Sequence, residues 1–126
     1  MKRCLLEVLA VTLGLLVATA PARAHHSFAA QYDRNKPVTL TGSVIRIEWM
    51  NPHVYFYMEV KDTSGKVTNW AIEGGAPNTL YRAGWRKDSL KIGEVVTVEG
   101  FLARDGSNLV NLSTVTIAGG RRIFGD

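Results

Sequence analysis

The sequence predicts an all-β fold with one short helix: a small five-stranded barrel preceded by a cleaved signal peptide. Three observations predict it. Several segments carry the two-residue period of a half-buried strand, one helical stretch interrupts them after the third, and an apolar leader ends in a small-x-small site.

The leader is Met1 to Ala24. Lys2 and Arg3 give it a positive start, and "LLEVLAVTLGLLVATA" (5–20) is apolar apart from Glu7, Thr12 and Thr19. That run is shorter than the roughly 20 residues a membrane span needs, and Ala22-Arg23-Ala24 fits a cleavage pattern. The expectation is a cut between Ala24 and His25 and a periplasmic or secreted product with no stable membrane span. Residues 25–37 then form an N-terminal arm, and residues 38–126 the barrel domain.

Cleavage also changes the charge. Lys2, Arg3 and Arg23 outweigh Glu7 by two, so the formal +4 of the whole chain falls to +2. This mild, scattered balance argues against nucleic acid as a partner. The single cysteine, Cys4, leaves with the leader, so the mature chain forms no disulfide.

In "VTLTGSVIRIEW" (38–49), Val38, Leu40, Gly42 and Val44 share one face, after which Ile45, Ile47 and Trp49 take the apolar role. A phase flip inside one strand implies a bulge or sharp coil, which Gly42 is placed to permit. In "HVYFYMEVK" (53–61), Val54, Phe56, Met58 and Val60 point inward, leaving His53, Tyr55, Tyr57 and Glu59 on the other face. "DTSGK" is a turn and "VTNWAIE" (67–73) the third strand.

"APNTLYRAGW" reads as a short helix, with Pro77 in its first turn and Gly84 at its end. "VVTVEGFLAR" (95–104) and "LVNLSTVTI" (109–117) are strands four and five. Trp49, Trp70 and Trp85 suit core or cap positions, and Ile123 and Phe124 suit a docked tail. Arg82, Arg86 and Lys87 suit the helix C-terminus. Three strands, a helix and two strands, with a long coiled first strand, match the five-stranded Greek-key barrel of the OB type. Such barrels bind ligands on strands two and three, where His53, Tyr55 and Tyr57 lie.

"HHSFAAQYDRNKPVTLTGSV", "EWMNPHVYFYMEVKD", "GKVTNWAIEGGAPNTLYRAGW" and "DGSNLVN" resemble segments of small exported bacterial proteins, the family classed as domain of unknown function 6152. The resemblance runs from His25 to about Phe124. It implies an exported, single-domain protein of barrel type. It assigns no role to its recognisable positions, His25, His26 and the Asn51-Pro52-His53 turn.

If export leaves His25 as the first residue, its α-amine and ring form a two-nitrogen chelate, and His53 supplies a third nitrogen. His26 substitutes or adds a ligand. An all-nitrogen set of this kind suits Cu(II); Zn(II) would want a fourth ligand from Glu48, Glu59 or water. With reference pKa values of about 7.7–8.0 for the amine and about 6.5 for histidine, binding should weaken in mild acid. Residues 26–37 extend roughly 40 Å at most, which is ample reach.

The opposing reading has solvated N-terminal histidines and a structural His53. Likewise Tyr55 and Tyr57 either stack on a flat ligand or pack beneath Phe28 and Tyr32. No catalytic motif is present: there is no G-x-S-x-G, H-E-x-x-H or glycine-rich phosphate loop, and the acids Glu48, Glu59 and Glu73 read as solvated. The sequence therefore points to an exported binding module rather than an enzyme, with copper at His25, His26 and His53 as the leading idea. Two alternatives stay open: a metal-free periplasmic barrel that binds a small ligand or protein through Tyr55 and Tyr57, and a copper-dependent redox enzyme.

Overall fold

A computed structural model describes residues 28–125. A one-turn helix α1 (Phe28–Gln31) leads into β1 (Tyr32–Glu48), followed by β2 (Tyr55–Lys61), β3 (Val67–Glu73), helix α2 (Pro77–Arg82), β4 (Val95–Ala103), β5 (Leu109–Thr116) and β6 (Arg122–Phe124). The sheet runs β3-β2-β1-β4-β5-β6, and a parallel pairing of β3 with β5 closes it. Around the closed wall the order is β1-β2-β3-β5-β4 and back to β1, which is the OB-type barrel.

The 17-residue β1 makes closure possible, because it pairs with β4 through residues 37–43 and with β2 through residues 43–48. Its bulge falls between Val44 and Arg46, where the flip in apolar phase predicts it. Val44 is fully buried and Ile47 and Trp49 pack on the core, but Ile45 is the extra residue and turns outward, 37% exposed. Gly42 acts through close approach rather than bending: a Cβ there would lie 2.0 Å from the Glu59 carbonyl oxygen.

Two neighbouring rows of cross-strand partners run across β4, β5, β3, β2 and the end of β1. Leu102, Val110, Ile72, Phe56 and Ile47 form one row and face the core. The next residue along each strand, Phe101, Asn111, Glu73, Tyr55 and Glu48, forms the outer row. Alternation along a pleated strand produces this pair of faces.

Besides Ile45 and the added one-turn helix α1, other features depart from the sequence expectation. β1 begins at Tyr32 rather than Val38, so part of the stretch read as an arm belongs to the sheet. A sixth strand is present, since β6 pairs with the end of β5 and Gly75 donates to the Gly125 carbonyl at 2.8 Å. In that strand Ile123 is buried, whereas Phe124 is exposed, and it is the Phe124 carbonyl that receives the buried Trp85 indole N–H at 2.6 Å.

Helix α2 starts at Pro77 and buries Leu80. Arg86 reaches back to the carbonyls of Tyr81 and Trp85, at 3.1 and 2.6 Å, and lies over the Tyr81 ring. It thus adds a second donor to the Tyr81 carbonyl, which also accepts the Gly84 N–H at 3.2 Å, and ties the helix end to the turn that follows. Among the described residues, no helix is long and apolar enough to cross a membrane.

Candidate functional site

The N-terminal segment lies across the outer row. Phe28 packs edge-on against Phe101, with ring centroids 5.7 Å apart, and against Tyr32 at 5.6 Å. Arg104, at the end of β4, fastens this segment: its backbone N–H donates to the Gln31 carbonyl and its Nε to the Ala29 carbonyl, at 2.9 and 2.8 Å. The Arg34 guanidinium lies over the Phe28 ring, 4.6 Å from its centroid. A one-turn helix has no stability of its own, so these contacts hold it.

The covering explains the most unusual residue of the wall. Glu73 sits on the outer face at the end of β3, yet is only 5% exposed. The expectation of a solvated acid is wrong here, because Tyr32 lies over it. The Tyr32 hydroxyl donates to Oε2 of Glu73, and His53 Nδ1 contacts Oε1. A buried carboxylate is tolerable when its oxygens are hydrogen-bonded, and both are.

Tyr55 stands directly across from Glu73 in the β2–β3 register. Burial, then the neighbouring carboxylate, raises its phenol above the ordinary value near 10. Burial, reinforced by the hydrogen bond to Glu73, raises Tyr32 likewise. Both phenols therefore stay protonated across the physiological range and keep a donor to offer.

His53 follows the Asn51–Pro52 turn, whose peptide bond is cis, and comes just before β2. Its side chain is 47% exposed, and Nε2 has no hydrogen-bond partner among the described residues. Tyr57, two residues beyond Tyr55, carries the Arg46 guanidinium over its ring at 3.9 Å and donates to Glu48 at 3.0 Å. Glu48 also pairs with Arg46 at 3.2 Å.

The structure thus brings His53 and Tyr55 together around Glu73, with Tyr57 a step further along the same face. His25 and His26 lie outside the described residues. Among the described residues, no three His, Cys, Asp or Glu side chains are grouped to hold a metal ion. Sequence reasoning missed Glu73 and the role of Tyr32. The signal available was position: Glu73 ends a strand whose penultimate residue is core, and Tyr32 follows the aromatic Phe28 at a four-residue spacing.

No curated protein matches the chain in sequence. Among solved structures, the N-terminal domain of PriB protein from Thermoanaerobacter tencongensis, described as dimeric, is similar at 21% identity and a TM-score of 0.43. The similarity covers 67% of this chain and 97% of that one. Residues 12–111 match the family of unknown function DUF6152, and the chain belongs to that family.

Proposed function

We propose that the protein is an exported metal-binding module, with Cu(II) the preferred ion, whose ligands are the α-amine and ring of His25 as the mature N-terminus and Nε2 of His53. His26 is the supplementary donor. The observation that carries this reading is the state of His53: one ring nitrogen is anchored to a buried carboxylate, and the other is left at a half-exposed position. Metal-bound histidines are commonly held in this way through their second nitrogen.

The docked N-terminal segment supports it further. Phe28 is linked to His53 by a short chain of contacts through Tyr32 and Glu73. From Phe28 back to His25 is three residues, about 10 Å of chain at full extension. An all-nitrogen donor set suits Cu(II), which also heads the divalent affinity order. Binding or carriage asks only for these ligands; oxidation would also ask for a substrate site.

The test has two parts. The intact mass of the exported protein should correspond to a chain beginning at His25. In Cu(II) titrations, that chain should bind with one-to-one stoichiometry, and both an extra residue before His25 and His53→Gln should weaken binding by at least about tenfold, the effect of losing about 1.4 kcal/mol. Equal affinity in all three forms would remove the terminal chelate and leave Tyr55 and Tyr57 as the face to probe for small ligands.

A further inference from the structure

We propose that Glu73 is the positioning residue of this site: it fixes His53 in the tautomer that carries its proton on Nδ1, so that Nε2 is the bare nitrogen turned to a ligand. In its bearing on metal affinity this rests on the function proposed above; in its bearing on the tautomer it does not. A carboxylate only accepts hydrogen bonds, so a neutral His53 meets Glu73 by donating Nδ1–H. The tautomer of a neutral imidazole is set by the bond its other nitrogen makes. Here that bond is made to a group that cannot swing away, because Glu73 is buried at the closing β3–β5 seam and its second oxygen is held by Tyr32.

A solvent-exposed carboxylate beside a half-exposed histidine would orient it little, since either side chain has many rotamers and water competes for both. Burial removes that competition on the carboxylate side. The cross-strand partner Tyr55 on one side and Tyr32 above restrict where the carboxylate group can go. The pair therefore selects one ring nitrogen before any ion arrives, which lowers the ordering cost of binding.

Two readouts test this. In the metal-free protein with 15N-labelled histidine, NMR of the neutral ring should show His53 with a protonated Nδ1 and a bare Nε2. Glu73→Gln should shift the population toward the opposite tautomer and weaken Cu(II) binding by about 10–100-fold, the usual cost of losing such a partner. Tyr32→Phe is the structural control: it disturbs the same buried cluster but leaves Glu73 in place. It should keep the wild-type tautomer, because the Nδ1 acceptor remains, and lose less affinity than Glu73→Gln does.

Loss of affinity that is equal in Tyr32→Phe and Glu73→Gln, with the tautomer unmoved in either, would overturn the proposal. So would a wild-type His53 with its proton on Nε2. If no form binds copper and the tautomer still responds to Glu73→Gln, the positioning stands and the metal-binding function falls.

Discussion

His53 and Glu73 meet where the chain enters β2 and β3 ends, ring Nδ1 to carboxylate Oε1, with the carboxylate buried and the ring half in solvent. The contact joins a covered part of the outer face to the exposed turn before β2. Tyr32 closes it from above, so the first residues of the described chain and the candidate ligand share one anchor.

Removing that anchor's lid should cost stability. Tyr32→Phe keeps the ring packed against Phe28 but takes away the donor to Glu73, leaving a buried carboxylate oxygen without its partner. The expected loss is about 1–3 kcal/mol, read from the urea midpoint at neutral pH. A midpoint equal to that of wild type would mean that the hydroxyl contributes nothing.

The same phenols set an alkaline limit. Tyr32 and Tyr55 both have pKa values raised above the ordinary value near 10 in the folded state, Tyr32 by burial and then its bond to Glu73, Tyr55 by burial and then the charge of Glu73. Their contribution is therefore complete below about pH 10 and is lost as pH rises from there toward the folded-state values, because the unfolded chain releases those protons first. Thermal melts from pH 8 to pH 12 should show a steep decline above pH 10 in wild type, and a shallower one in Tyr32→Phe, which has one fewer raised phenol.

The approach of β1 to β2 depends on a missing side chain at Gly42. A methyl group at Gly42 would lie 2.0 Å from the Glu59 carbonyl and 3.2 Å from the Met58 side chain, where β1 passes from β4 to β2. Gly42→Ala should destabilise the fold by about 3 kcal/mol, toward the upper end for overpacking. Gly84→Ala is a contrasting case: nothing lies within 4 Å, so any cost there comes from its positive φ of 98° alone.

The strands were legible because each obeys a simple rule of alternation. Val54, Phe56 and Met58 are buried and Glu59 is exposed, as the two-residue period of β2 requires. The bulge was legible as well, since the apolar phase changes at Val44 and the pairing skips there. Ile45 misled because an apolar residue at the point of the flip fits either phase, and only the pairing with β2 decides that it turns out. Glu73 misled for a related reason. Alternation puts it on the outer face, which is usually wet, and what covers it is a segment 41 residues earlier in the chain. Long-range covering of this kind leaves no periodic trace. β6 is three residues long and carries too little pattern to stand out from a tail.

The most direct test of the terminal chelate is the EPR spectrum of Cu(II), added at one equivalent to protein that begins at His25. Superhyperfine structure from three equatorial nitrogens is expected, reduced to two in His53→Gln. A spectrum dominated by oxygen ligands, or one that His53→Gln leaves unchanged, would contradict a site shared between the mature N-terminus and His53.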